Sequence, residues 1–188
     1  MNPVTDAIAS RRTVKKMDPD RTPSRADIRT IIEAASWAPN HHMTEPWRFI
    51  VLEKEARRRL GEALAAAMNA GPIPQPQERL AKERDKPLSA PVIVAVIGSP
   101  KRGEGILPQE EMVAAGAAMQ NLLLAAHSLG LATAVRTGAH SYSEAIRRFF
   151  GMGPDEALVA LVYVGYANGA VAPGKRTAAA EKTIWLER

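Results

Sequence analysis

The sequence predicts a single three-layer domain of helices and strands, of either the α+β or the α/β class. About four segments have the apolar pattern of β-strands, and helical patterns separate most of them. One segment, residues 91–97, is apolar throughout, which is typical of a strand in a sheet covered on both faces. A chain of 188 residues can bury the core of one domain, so we assign residues 1–188 to one domain.

The N-terminal half alternates predicted helices with a predicted strand. Thr22-Pro23 is typical of a helix start, because an N-cap residue is followed by proline at the first helical position. Ala38-Pro39 ends the helical pattern that follows. The predicted elements of this half are a helix over 6–10, a helix from Thr22-Pro23 to Ala38-Pro39, a strand over 47–52 and a helix over 55–69.

Residues 71–86 are predicted to form an insert that acts as a lid, with a Pro-rich start and a charged helical continuation. A polar tail, residues 167–188, ends in Ile184, Trp185 and Leu186, which we predict dock on a partner subunit. Between them we predict a strand over 91–97, a helix over 109–129, a strand over 131–136, a helix from the capping box Ser141–Glu144 to Phe150, and a strand over 158–166.

The composition favours an anionic small-molecule ligand and excludes several kinds of chemistry. The net charge of +5 suits phosphates, acidic substrates or nucleic acid. Aromatic residues are only 5% and no nucleic-acid-binding motif is present, so we predict no nucleic-acid partner. The chain has no cysteine, which excludes disulfides and thiol chemistry; any electrons must be carried by a bound cofactor.

The location predicted by default is the cytoplasm, without a membrane partner. The longest apolar runs are far shorter than a transmembrane helix requires, and the N-terminus lacks the pattern of a signal peptide. His41-His42 lacks the spacing and the carboxylate neighbours of a metal site, so we predict no metal.

A cationic cluster, residues 11–16, follows the first predicted helix and reads Arg-Arg-Thr-Val-Lys-Lys. Arginine offers planar bidentate donors to phosphate, threonine adds a hydroxyl and lysine adds a point charge. The alternative is a solvated basic surface at a helix end, which is the more frequent role of such a run. Composition alone leaves the two interpretations open.

A second motif, Ala38-Pro39-Asn40 followed by Glu45-Pro46-Trp47-Arg48-Phe49, leads into the first strand. With the cationic cluster, it resembles the nitroreductase-like FMN-dependent oxidoreductases, specifically their compact bacterial NAD(P)H nitroreductase branch. Glu45 departs from that pattern, which usually has glutamine there. The resemblance implies an α+β, three-layer α/β/α fold with a mixed, mainly antiparallel central sheet, assembled as an intertwined homodimer.

The resemblance also implies the residues of an FMN site. Arg11, Arg12, Thr13 and Lys15 would hold the phosphate and the polar side of the ring. Pro39, Asn40 and His41 would reach the cofactor across the dimer interface, and the helix over 109–129 would form much of that interface. The remaining implied positions are Val135, Arg136 and Thr137 beside the ring, and Lys175 and Arg176 at the phosphate.

The implied activity is that of an FMN-dependent oxidoreductase. It would pass hydride from NADPH or NADH, through N5 of a tightly bound FMN, to an electron-poor small molecule such as a nitroaromatic, a quinone or an enone. No side chain is assigned as a catalytic acid or base. The alternatives are flavin-consuming or reductively dehalogenating chemistry on the same fold, and a non-catalytic basic binding module.

Overall fold

The computed structural model describes residues 2–187, so Met1 and Arg188 of the predicted domain and tail lie outside the described residues. The chain forms six helices of more than one turn and four strands within the described range. Their bounds are α1 Pro3–Ser10, α2 Arg25–Ala35, β1 Trp47–Glu53, α3 Glu55–Asn69, α4 Gln77–Asp85, β2 Val92–Gly98, α5 Pro108–Ser128, β3 Ala132–Arg136, α6 Glu144–Phe149 and β4 Ala157–Gly165.

The sheet has the strand order β1-β2-β4-β3, and all of its strand pairs are antiparallel. An isolated parallel bridge joins Thr13 to Thr133 at the β3 edge. This topology confirms the α+β class and the mainly antiparallel sheet. It excludes the α/β alternative, because such folds require parallel strands joined by helical crossovers.

Strand β2 lies at the centre of the three layers, and every one of its residues is buried. On one face, Val92, Val94 and Val96 pack with residues of α2 and α5. On the other face, Ile93 and Ile97 pack with residues of α3 and α6. The alternation of side chains along a strand therefore places one half of β2 in each core. Both faces of the sheet are covered, as the apolar sequence predicts.

Two predicted helix starts are wrong by two residues. Helix α2 begins after Ser24, whose hydroxyl accepts from the Asp27 N–H while the Asp27 carboxylate accepts from the Ser24 N–H. Thr22 lacks this option, because the residue three positions later is Arg25, which has no acceptor. Helix α6 is capped by Ser143, since residues 139–142 form a short 3₁₀ turn instead.

The predicted insert is a turn followed by α4, which packs on α3. Leu80 of α4 is buried, and Arg84 forms a salt bridge of 2.8 Å with Glu62. Gly61 of α3 permits this approach, because a Cβ there would lie 2.0 Å from the Arg84 carbonyl oxygen. The contact fixes α4 on α3 and leaves residues 71–74 as an exposed turn. The function of this insert as a lid stays a prediction.

An ion pair between Arg48 of β1 and Glu156, just before β4, joins two strands at one end of the sheet. The Arg48 side chain donates to both carboxylate oxygens, at 3.0 and 2.8 Å, and the Gly153 N–H donates at 2.9 Å. These bonds, those of Arg48 above all, lower the pKa of Glu156 to about 2 against the opposing effect of burial. The carboxylate therefore stays charged in the folded protein under mildly acidic conditions.

We expect this ion pair to make stability depend on pH. A lowered pKa means that its contribution is fully present above pH 4.5, the ordinary pKa, and is lost as pH falls towards about 2. Glu156→Gln should lower the free energy of unfolding at pH 7 by roughly 1.5–3 kcal/mol, the range for hydrogen bonds to charged groups. Urea unfolding from pH 2 to pH 7 measures this difference in the free energy of unfolding. The control variant is Glu144→Gln, which changes an exposed carboxylate. An equal deficit at every pH would contradict the assignment.

Candidate functional site

The cationic cluster lies where α1 meets the start of β3. The Val14 N–H donates to the Thr133 carbonyl at 2.8 Å, next to the bridge between Thr13 and Thr133. Further on, Met17 bridges to Ala167 beyond the end of β4. Backbone pairing thus holds the segment against the sheet edge, while the side chains of Lys15 and Lys16 stay exposed.

Arg11 is partly buried beside other cations. Its pKa is lowered, chiefly by burial and then by the charges of Arg12 and Arg176. Asp6 lines the same cavity, yet within residues 2–187 Arg11 has no salt-bridge partner. An arginine in this setting is stabilised by an anion, because an anion offsets both the desolvation and the repulsion.

Arg12 is turned back onto its own helix end. Its guanidinium donates to the carbonyl of Arg11 at 2.5 Å and to that of Ala9. The tail passes directly over it, since a Cβ on Gly174 would lie 2.2 Å from the Arg12 Cζ atom. Its Nε is buried and has no hydrogen-bond partner within the described residues. Arg12 therefore stabilises the end of α1 in this conformation and keeps one unused donor.

A cavity of about 870 Å³ opens beside these arginines. A smaller adjoining cavity of about 320 Å³ shares Arg12, Val14, Val171 and Ala172 with it and continues along the cationic cluster to Lys16. Cavities of this size are typical of cofactor-sized ligands. The walls of the larger cavity come from α1, the end of α5, the start of β3 and the tail: Asp6, Ala9, Ser10, Arg11, Arg12, Val14, His127, Gly130, Leu131, Ala132, Thr133, Ala167, Val171, Ala172 and Pro173.

The remaining predicted site residues on this edge of the sheet lie in the tail and at the end of β3. Lys175 and Arg176 follow the tail segment that covers Arg12, and both are exposed. Val135, Arg136 and Thr137 lie at the far end of β3, about 10 Å from Thr133 at 3.3 Å per residue. The Arg136 guanidinium lies 5.6 Å from the centre of the Tyr163 ring. The structure therefore places the cationic cluster beside the start of β3 and the Val135–Thr137 segment at its end.

The 38–46 loop is a separate part of the candidate site. The Asn40 side chain accepts from the Glu45 N–H at 2.9 Å and donates to the Ala38 carbonyl at 3.2 Å. Pro39 and His41 are exposed, and the Glu45 side chain is exposed as well. The side chain of Asn40 therefore holds the two sides of the loop together and leaves Pro39 and His41 available to a ligand.

A single chain does not bring this loop to the cationic cluster. Thr44 of the loop is hydrogen-bonded to Glu111 near the start of α5, whereas Ser10 beside the cluster is hydrogen-bonded to His127 near its end. Sixteen residues separate Glu111 from His127, which corresponds to about 24 Å along a helix. The cationic cluster and the 38–46 loop therefore lie at opposite ends of α5.

Glu111 is a buried residue that the sequence did not single out, with only 2% of its surface exposed. Its carboxylate accepts the Thr44 hydroxyl at 2.7 Å and the Lys101 N–H at 3.0 Å. Acidic residues are common in the first turn of a helix, where they are usually solvated. No signal in the sequence distinguishes a buried acid there from an exposed one.

Fold and site together define an α+β protein with a cofactor-sized cavity beside a cationic cluster. The chain belongs to the nitroreductase family, whose sequence model matches residues 8–166. It is 30% identical to "Putative NAD(P)H nitroreductase YfhC" of Bacillus subtilis, over 92% of this chain and 88% of that protein. It is 27% identical to "Putative NAD(P)H nitroreductase YdjA" of Escherichia coli, over 85% of this chain and 86% of that protein.

Solved structures have the same fold. The nitroreductase-like protein of Bacillus cereus matches with a TM-score of 0.85 and 26% identity, over 100% of this chain and 97% of that one. The "putative nitroreductase in complex with fmn" of Desulfovibrio desulfuricans matches with a TM-score of 0.71 and 27% identity, over 96% of this chain and 95% of that one. No helix within residues 2–187 has the length and apolar character needed to cross a membrane.

Proposed function

We propose that this nitroreductase-family protein is an FMN-dependent oxidoreductase that uses NADPH or NADH to reduce an electron-poor small molecule such as a nitroaromatic, a quinone or an enone. Support comes from its family, from the NAD(P)H nitroreductase names of its relatives, and from the FMN in the related Desulfovibrio crystal. The observation that carries the proposal is the partly buried Arg11 beside Arg12 and Arg176, at a cavity large enough for a cofactor. We further propose that the protein works in the cytoplasm, where reduced pyridine nucleotide is available.

The residues present fit FMN. Neither Arg11 nor Arg176 forms a salt bridge within the described residues, although Asp6 lines the same cavity, and a phosphate would supply a bidentate partner. The unpartnered Nε of Arg12 adds a buried donor at the same place. The apolar walls of the cavity, including Leu131 and Val171, suit a flat ring system. A solvated basic surface requires neither the cavity nor the burial of Arg11.

The chain's own residues would bind and orient the cofactor. We assign the phosphate to Arg11, Arg12, Lys175 and Arg176, and the polar edge of the ring to Thr13 and Lys15. Val135, Arg136 and Thr137 would face the ring from the end of β3. Bound FMN supplies the hydride chemistry, which no side chain of this chain can provide. We assign no catalytic acid or base, because solvent can supply the proton.

We also propose a homodimer in which Pro39, Asn40 and His41 of one protomer complete the cofactor site of its partner. The separation of about 24 Å along α5 favours this arrangement, since one protomer cannot join its own cationic cluster and 38–46 loop. Apolar side chains are available for such an interface: Val113 of α5 is 73% exposed, and Ile184, Trp185 and Leu186 of the tail are each more than 80% exposed.

The absorbance spectrum of the purified protein between about 350 and 500 nm tests the proposed function. We expect flavin bands that bleach under anaerobic NADPH or NADH and return when a quinone or a nitroaromatic is added. A colourless protein that takes up no added FMN would contradict the proposal. If that protein also bound nucleic acid in low salt and released the nucleic acid as salt rises, a basic binding module would replace the oxidoreductase as the proposed function.

A further inference from the structure

Two segments near the start of α5 are joined through one buried carboxylate. Glu111 accepts from the Thr44 hydroxyl at 2.7 Å with one oxygen and from the Lys101 N–H at 3.0 Å with the other. We call these two hydrogen bonds the Glu111 bridge. Thr44 belongs to the 38–46 loop, and Lys101 belongs to the 99–107 segment. Both carboxylate oxygens are therefore used to join these two segments.

The 38–46 loop has a backbone that requires such support. His42, Met43 and Glu45 have φ values of 55°, 49° and 46°, in the left-handed region that residues with a side chain rarely adopt. Backbone in this region persists only where surrounding contacts hold it, and it concentrates at functional sites. Within the loop, the Asn40 side chain accepts from the Glu45 N–H, and the Thr44 hydroxyl lies 3.2 Å from the His41 carbonyl oxygen. The bond from Thr44 to Glu111, at 2.7 Å, is the shorter of the two hydroxyl contacts and ties the loop to α5.

The environment of Glu111 favours a strong interaction. The residue is 2% exposed, so neither hydrogen bond competes with bulk water. The first turn of α5 adds a favourable dipole, and its N-cap, Leu107, supplies no side-chain acceptor. The 99–107 segment is also close to the loop elsewhere, because the Ser99 N–H donates to the Pro46 carbonyl at 3.0 Å.

We propose that Glu111, acting through Thr44, is a positioning residue that holds the 38–46 loop in the conformation that contacts the cofactor of the partner protomer. Glu111 itself does not reach the ligand, since both of its oxygens are engaged with the protein. Pro39, Asn40 and His41 are presented by the loop that this bridge holds. The inference rests on the proposed function, which assigns those three residues to the FMN site.

A set of threonine variants separates positioning from general stability. Thr44→Val removes the hydroxyl at nearly constant volume, Thr44→Ser keeps it, and Thr30→Val makes the same change at an exposed site on α2. Amide hydrogen exchange of the protein without FMN is the first measurement. We expect the loop amides to exchange about tenfold faster in Thr44→Val than in the parent. The Lys101 amide, whose bond to Glu111 remains in this variant, should exchange as in the parent. Thr44→Ser and Thr30→Val should match the parent.

The FMN dissociation constant is the second measurement. If the loop adopts the binding conformation about a tenth of the time in Thr44→Val, the apparent dissociation constant rises about tenfold, and Thr44→Ser restores it. Glu111→Leu, which removes both acceptor oxygens and leaves the Thr44 hydroxyl in place, should weaken FMN binding at least as much.

Parent-like exchange and parent-like FMN affinity in Thr44→Val would overturn the inference while leaving the proposed function intact. Faster exchange with parent-like FMN affinity would reduce the bridge to a structural contact and would also overturn the inference. A parent protein that takes up no FMN overturns the proposed function and this inference with it.

Discussion

Arg11→Ala should raise the dissociation constant for FMN by about 100-fold. A hydrogen bond to a charged group contributes roughly 1.5–3 kcal/mol, and a bidentate contact with phosphate lies at the upper end of that range. At 1.4 kcal/mol for each factor of ten, this corresponds to about two orders of magnitude. The protein without FMN should not be destabilised, because burial and the charges of Arg12 and Arg176 already disfavour the charged Arg11 side chain.

Riboflavin, which lacks the phosphate, is the internal control for this prediction. Its affinity should be nearly unchanged in Arg11→Ala, since the variant removes a phosphate contact and leaves the walls of the cavity in place. Arg29→Ala on α2, an exposed arginine away from the cavity, should leave the affinity for FMN unchanged. Isothermal titration of the apoprotein measures all of these affinities. A parent-like affinity for FMN in Arg11→Ala would remove this residue from the phosphate site.

The single variant is preferable to one that also replaces Arg12. Because Arg12 donates to the carbonyls of Ala9 and Arg11, its loss would release the end of α1 as well as a possible phosphate donor. A double variant would therefore mix a change of local structure with a change of ligand contact. The sequence presents Arg11 and Arg12 as equivalent neighbours, and only the folded chain distinguishes them.

The sequence predicts those parts of the fold that depend on local patterns. Helix α3 has the predicted bounds, Glu55–Asn69, because an apolar face with helical spacing ends at a Gly-Pro turn. The apolar run of β2 correctly indicates a strand with both faces covered. The starts of α2 and α6 were wrong, because several residues compete to cap a helix. The Asp27 side chain completes a capping box with Ser24 and so starts α2 there. The 3₁₀ turn over residues 139–142 delays the start of α6 until after Ser143.

The candidate site depends on contacts between residues that are far apart in the sequence, and local patterns do not predict such contacts. The side chains of Thr44 and Glu111 are separated by 67 positions, and nothing in either segment indicates that they meet. The same holds for Ser10 and His127, which are 117 positions apart. The sequence therefore predicts which residues can bind phosphate, whereas the division of the site between the two ends of α5 follows only from the folded chain.

Dimerisation, and with it FMN binding, should be lost when the apolar end of the tail is made polar. The variant replaces Ile184, Trp185 and Leu186 with serine and keeps Lys175 and Arg176, so that the proposed phosphate contacts remain. Burial of one large apolar side chain contributes about 1.5–3 kcal/mol. A two-fold dimer contains two copies of each contact, so the dissociation constant of the dimer should rise by more than about 1000-fold.

Sedimentation at micromolar concentration, with and without FMN, measures this effect. The matched control is Ile73→Ser, which makes polar an apolar side chain that is 71% exposed in the turn before α4 and belongs to no proposed interface. That variant should remain dimeric and retain FMN. A serine triple variant that stays dimeric would show that the tail does not hold the protomers together. A monomer that binds FMN as tightly as the parent would contradict the site shared between protomers, because Pro39, Asn40 and His41 would then be dispensable for binding.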